Sequence, residues 1–266
     1  MTQKRQASSF YQHFDYEERP EVDYYTGLFN RFIYQQEPIL TDFINPRQMY
    51  IFKEIVGNEA QIYHDGGYKN AEKQRALLCD WNAPYNLEHF EVQPLQIEYN
   101  KKWDKLTHSQ ILGVLANSGV EISSFGDIIN DEEDNWQIFV KKDLTDFFIQ
   151  NITRIGRSKV KLKPISRNEV LNVADDATSK SAVSISLRLD AVIASAANMS
   201  RSQVKESINN GNIKLNWHVV QESNIIVNVY DILSIRHFGR IQLEKISHTS
   251  KGKYRLEFKV WQTKKR

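Results

Sequence analysis

LRLDAVIASAANMSRSQVKESINNGNIKLNWHVVQESNIIVNVYDILSIRHFGR, residues 187–240, changes its hydrophobic period partway along, and that change decides the fold. Up to residue 211 the period is helical. Leu189, Val192, Ile193 and Ala196 share one face of a helix predicted over residues 187–197. A second helix is announced by its own start. Ser200 is a good N-cap, Gln203 completes a capping box, and Met199 and Val204 stand where a hydrophobic staple closes. Val204 and Ile208, four apart, supply a buried stripe, while Arg201 and Lys205 share another face. Gly211 falls where a left-handed residue ends a helix. Beyond it Ile213 and Leu215 alternate with Lys214 and Asn216, and residues 225–229 and 232–235 form two further predicted strands. The stretch reads as a helix–turn–helix closed by short strands.

These residues resemble the small RNA-binding domain shared by ribosomal small-subunit protein four, bacterial tyrosyl-tRNA synthetases and many pseudouridine synthases. The carriers are Arg188-Leu189-Asp190, Ser200-Arg201-Ser202, Ile208, Gly211, residues 213–216, Asp231-Ile232, Arg236 and Gly239-Arg240. The resemblance implies that the first two helices and their loop present basic side chains to structured RNA. The chain departs from the pattern at Tyr230, where the family has Gly; a Tyr there is strained if the turn needs positive φ.

The 266 residues suffice for two or three domains, each with its own core. A 41% hydrophobic and 26% charged composition is that of a globular protein rather than a disordered one. The overall charge of +2 hides an asymmetry: net −10 over residues 1–150, +3 over 151–179 and +9 over 180–266. The basic tail points to a polyanion partner. Cys79 is the single cysteine, which excludes an internal disulfide and a thiolate metal cluster; it reads as a buried strand thiol. The first 18 residues lack an apolar signal core and no apolar run has membrane-spanning length, so a cytoplasmic protein without membrane contact is expected.

Along the chain, Phe10, Phe14, Val22, Tyr25, Phe29, Phe32 and Ile33 recur at helical spacings, and Asn45-Pro46 starts a helix that Gly57 ends. A small helical core is the reading for residues 10–57, against a stacking surface for bases. Residues 62–63 and 76–78 are predicted strands around the turn Asp65-Gly66-Gly67; Lys69, Lys73 and Arg75 beside it are read as a solvated turn or as phosphate contacts. From Pro94 the pattern is β-α-β-β-α-β, that of ferredoxin-like domains and RNA-recognition motifs, although the K/R-G-F/Y-G run of the latter is missing. Phe139 stands in opposite phase to Trp136, Ile138 and Val140, which leaves packing and base stacking both open. In RIGRSKVKLKP, Arg154, Arg157, Lys159, Lys161 and Lys163 occur without an acid, as RNA contacts or as lysines guarding a sheet edge. Residues 166–184 read as a polar linker, and residues 241–246 and 254–261 as closing strands before a frayed Lys264-Lys265-Arg266. The expected class is therefore α+β in three small domains: a mostly helical one over 1–90, a ferredoxin-like one over 91–166 and the RNA-binding one over 182–266.

With all parts in view, the chain resembles the YlmH family of bacterial RNA-binding proteins over nearly its full length. Further carriers are Tyr11-Gln12-His13-Phe14, Thr41-Asp42-Phe43-Ile44-Asn45-Pro46-Arg47-Gln48, Gly66-Gly67-Tyr68, Leu112-Gly113, Gly119, Phe125-Gly126-Asp127-Ile128 and Thr249-Ser250-Lys251-Gly252-Lys253. Ser123-Ser124 departs from it, since the family carries charged residues there. The resemblance implies binding to ribosomal or transfer RNA, a role in ribosome-associated quality control, and a gene near cell-division genes.

No glycine-rich nucleotide loop follows a strand, and the seven histidines show no metal-ligand spacing, so neither a cofactor nor a metal is expected. Arg188-Leu189-Asp190 resembles the catalytic Arg-Leu-Asp of pseudouridine synthases but opens the RNA-binding helix instead. The expected function is non-enzymatic binding of structured RNA on the ribosome, with the large subunit favoured. Arg188, Arg201, Lys205, Lys214, Arg236 and Arg240 are the candidate contacts, joined by Arg154, Arg157, Lys159 and Lys161. Replacing Arg201 and Lys205 by Glu is expected to abolish binding with little change in melting. Two other readings stand beside it: an RNA-modifying enzyme with its site in residues 1–165, and an adaptor whose acidic front half docks a basic partner such as a division protein.

Overall fold

The computed structural model describes residues 4–14, 16–172 and 177–262. They mix helix and sheet in the α+β manner and cluster into two compact units, Met1–Ala174 and Asp175–Arg266.

In the first unit, α1 (Arg19–Gln35) and α2 (Pro46–Val56) pack on a three-stranded antiparallel sheet of β1 (Ile39–Ile44), β2 (Gln61–Asp65) and β3 (Gln74–Cys79), in the order β1-β3-β2. The aromatic run does pack inward: Tyr25, Phe29, Phe32 and Phe52 are buried with Ile51 and Ile55. The start of α2 is as the sequence indicates, with Asn45 and Gln48 closing a capping box and Pro46 at the first turn. Strand β1 departs from the helical reading. Pro38 and Pro46 bracket seven residues, of which six pair as the strand, and Thr41 inside it is buried, its hydroxyl accepting from the Ala76 amide at 2.9 Å. Arg75 is likewise neither solvated nor free for phosphate. It is buried and donates to the carbonyls of Thr41, Phe90 and Glu91.

The same unit continues with β4 (Val92–Tyr99), α3 (His108–Ala116), β5 (Phe125–Asn130), β6 (Trp136–Lys141), α4 (Thr145–Asn151), β7 (Arg154–Ile155) and β8 (Ser158–Pro164). Their antiparallel sheet runs β5-β6-β4-β8-β7. One face buries Leu95, Ile97, Ile138 and Val140 against Ile111 and Leu115 of α3, Phe148 of α4 and Ile152 just after it. Part of the other face is covered from the first sheet: Phe43 and Leu77 close over Phe90, Val92, Ile129 and Phe139. Phe139 is fully buried and stacks on Tyr68 with ring centroids 4.9 Å apart, so it is a packing residue and not a platform for bases.

The stretches Gly66-Gly67-Tyr68 and Phe125-Gly126-Asp127-Ile128 act at this closure. A Cβ on Gly67 would lie 2.4 Å from the Phe139 ring, and one on Gly126 would lie 2.8 Å from the Phe43 ring. Only hydrogen at these two positions lets the backbones approach. Asp127 clamps the join by accepting from the Tyr68 hydroxyl at 2.8 Å and from the amides of Glu72 and Lys73 at 2.7 and 3.2 Å. Lys73 turns inward to the Ile122 and Phe125 carbonyls, and burial lowers its pKa.

The polar stretch read as a linker is largely structured. Arg167 makes a two-pronged ion pair with Asp65 at 3.1 and 2.7 Å, and the Gln137 side chain bonds the backbone of Glu169 and Leu171. On the other side, β9 (Thr178–Ser184) is an edge strand of the second unit, because Ala182 and Ser184 alternate inward within its Ser/Thr-rich sequence.

The second unit contains β9, α5 (Leu189–Ala197), α6 (Arg201–Asn209), β10 (Ile213–Leu215), β11 (His218–Val219), β12 (Ile232–Ile235), β13 (Gly239–His248) and β14 (Tyr254–Gln262). The sheet runs β11-β10-β12-β13-β14-β9, every pair antiparallel. Leu189, Val192, Val204 and Ile208 of the two helices pack on Ile213, Leu233, Ile241, Leu256 and Phe258. Residues 225–229, expected as a strand, make only the isolated bridge between Arg188 and Ile226. The segment 223–227 instead bonds the start of α5: the first-turn amides of Leu189 and Asp190 donate to the carbonyls of Ile225 and Ser223, while the Val227 amide donates to the Leu187 carbonyl just before the helix. A helix start has captured a segment of high strand propensity. Tyr230 does take positive φ, +72°, the conformation that strains a residue carrying a Cβ.

Candidate nucleic-acid interface

The helix pair is built around one buried acid. Ser200 accepts from the Gln203 amide and completes its capping box, which fixes where α6 begins and therefore where Arg201 stands. The Asp190 side chain on α5 is fully buried; Arg201 donates to one of its oxygens at 2.6 Å and Arg188 to the other at 3.4 Å. Burial pushes the Asp190 carboxyl up, but the hydrogen bonds and charges of the two arginines outweigh it and hold the group below the usual aspartate range. Both arginines remain part-exposed, at 39% and 44% of the side chain, so each keeps donors directed to solvent while one edge is fixed. Lys205, one turn along α6, is exposed. This is a rigid, positively charged helix face suited to the phosphates of folded RNA.

The Arg201–Asp190 pair alters one expectation. Glu at position 201 would face a buried carboxylate, so the double charge reversal perturbs folding as well as binding. Lys205 alone is the clean probe.

The other tail candidates lie elsewhere. Lys214 on β10 opposes Ser234 on β12, which opposes Arg240 on β13, which opposes Trp261 on β14. Directly opposed residues share a face, and Ile213, Leu215, Leu233, Ile241 and Val260 of the opposite phase are the ones that meet the helices. Lys214 and Arg240 therefore stand on the outer face of the sheet. Arg236 follows β12 and is tethered to Asn212 through its backbone amide at 2.9 Å and its guanidinium at 3.3 Å. Sequence reasoning missed Trp261 and Lys259; the alternation in residues 254–262 puts both in phase with the outward row, and that signal could have found them.

In the first unit, Lys159, Lys161 and Lys163 alternate outward along β8, opposite in phase to Val160 and Leu162. Arg154 directly opposes Lys159, Lys161 opposes Glu98, and Arg157 at the hairpin end lies 3.7 Å from Asp104. These form a basic hairpin beside the covered part of the sheet. Cys79 is buried and its thiol is pushed up by that burial, which disfavours the thiolate. Among the described residues, no helix is long and apolar enough to cross a membrane.

The chain is similar to known proteins over most of its length. A family model described as "Putative RNA-binding domain in YlmH" matches residues 85–169, the segment that holds the basic hairpin. Over 254 residues the chain is 35% identical to ribosome-associated protein quality control protein P2 of Bacillus subtilis, spanning 94% of this chain and 98% of the relative. Among solved structures, the cell division protein ylmH from Streptococcus pneumoniae is 31% identical with a TM-score of 0.53, covering 61% of this chain and 99% of that one.

Proposed function

Since this chain belongs to the YlmH family, we propose that it is a non-enzymatic RNA-binding protein that acts on the ribosome, in translation or ribosome-associated quality control. The observation that carries the reading is the buried Asp190, which holds Arg188 and Arg201 on the helix pair of a strongly basic tail. A fixed guanidinium pair beside Lys205 presents charge in register with a folded phosphate backbone, without the entropy loss of ordering long side chains on contact. The partners are ribosomal or transfer RNA, with the large subunit as the platform and the cytoplasm as the compartment. Three elements share the work in this reading: an acidic body over 1–90 that takes a protein partner, a ferredoxin-like sheet over 91–166 that adds Arg154, Arg157, Lys159 and Lys161, and the tail over 182–266.

The test is cosedimentation of the full chain with ribosomes and separated subunits across a salt series. Binding to one subunit that falls steeply with salt is expected, and Lys205→Glu is expected to weaken it with unchanged melting. Undiminished binding by Lys205→Glu would remove the helix face from the interface. Absence of binding to every particle would favour the modifying-enzyme or adaptor reading.

A further inference from the structure

We propose that the outer face of the C-terminal sheet is a second RNA surface, which stacks an unpaired nucleobase on the Arg240–Trp261 pair and places a neighbouring phosphate on Lys214. The inference rests on the RNA-binding reading above and deepens it by naming a separate contact and its ligand class.

The register sets the geometry. Lys214, Ser234, Arg240 and Trp261 form one row across four adjacent strands, a span of about 14 Å at the usual strand spacing. The Arg240 guanidinium lies over the Trp261 ring, 5.5 Å from its centroid. One step along the same face, Gln242 opposes Lys259. The row contains no carboxylate. Among the described residues, Glu244 lies 3.5 Å from Lys259 and Glu257 3.9 Å from Lys245. Both helices of the unit pack on the opposite face of the sheet, so this face is not part of the Asp190-centred site.

Charge selects the occupant. Residues 180–266 carry net +9, and the chain beyond Gln262 continues with Lys264, Lys265 and Arg266, which lie outside the described residues. A basic face with one guanidinium–indole stack suits a base removed from its helix, because a base inside a duplex has no face to offer. The helix face and the sheet face would then hold two different RNA elements at once, a folded one and an unpaired one. Simultaneous engagement raises overall affinity without any further contact.

The experiment uses the full chain and a fluorescein-labelled, mixed-sequence single-stranded RNA decamer, read by anisotropy, alongside ribosome cosedimentation. Trp261→Leu should weaken decamer binding by about fivefold or more, the loss expected for one base–aromatic stack, while Trp261→Phe keeps most of it. Lys214→Gln, an exposed change that leaves folding intact, should lower the salt slope by about 0.7. Trp103→Leu removes an exposed indole from the first unit and should leave decamer binding unchanged. If Trp261→Leu and Lys214→Gln both bind the decamer like wild type, or if wild type ignores the decamer yet binds ribosomes, this inference is overturned and the ribosomal reading stands. If wild type binds neither, both fall.

Discussion

Replacing Gly67 by Ala tests whether the two sheets of the first unit are locked by close backbone approach. The added Cβ would lie 2.4 Å from Cδ1 and 2.8 Å from Cε1 of Phe139, and 3.0 Å from Cγ1 of Val92. None of these atoms has room to move, since Phe139 is fully buried and its ring is stacked on Tyr68. Forcing one extra methyl into such a core costs about 1–3 kcal/mol. Gly67 also has φ of +97°, and a side chain there adds roughly another 1–3 kcal/mol of backbone strain. The two together predict a loss of about 2–6 kcal/mol. In urea, with a slope of about 2 kcal/mol/M, the midpoint of the first unit should fall by roughly 1–3 M. Pairing the change with Phe139→Leu should recover part of the loss, because the two sites share one clash and cannot add independently. A midpoint within about 0.3 M of wild type, or strict additivity of the pair, would refute the steric account.

Gly113 offers the contrast: it lies inside α3 with nothing within 4 Å of an added Cβ, so Gly113→Ala should raise stability by about 0.5–1 kcal/mol in the same melts. Arg201→Glu should cost about 3–5 kcal/mol, measured by thermal melting of the second unit, because it leaves the Asp190 carboxylate buried beside a like charge; retention of the wild-type Tm would show that Arg188 alone satisfies Asp190. Asp190 also sets an acid limit. Its folded pKa is depressed, so its contribution is fully present above the ordinary aspartate value and is lost as pH falls through the folded value. The stability gap between wild type and Asp190→Asn should therefore stay level from about pH 8 to pH 5 and close below about pH 4; a gap that closes near neutrality would contradict the assignment.

Residues 200–203 and 45–48 show how much of the fold was legible locally. A cap, its reciprocal Gln and the first buried residue all lie within one helical turn, and the structure realises each of them. The succession of helices and strands along residues 92–164 was readable for the same reason: period and turn chemistry are properties of near neighbours. Residues 225–229 and Phe139 mark the limit. Both have strand-like sequence, but the first bonds a helix start and the second fills a core closed by residues from the other sheet. Which partner wins depends on groups distant in sequence.

Taken by itself, the sequence determined the mixed helix and sheet class, the helix–turn–helix of the tail, the family, and the concentration of positive charge after residue 150. Tertiary structure alone decided how that charge is used. It tied Arg201 to a buried acid and left Lys205 exposed one turn away. It sent Lys214 and Arg240 to the outer sheet face, and it covered the Phe139 side of the five-stranded sheet. The reason is physical. Periodicity fixes which residues share a face, but strand register, helix packing and the space left by a missing Cβ fix what that face meets.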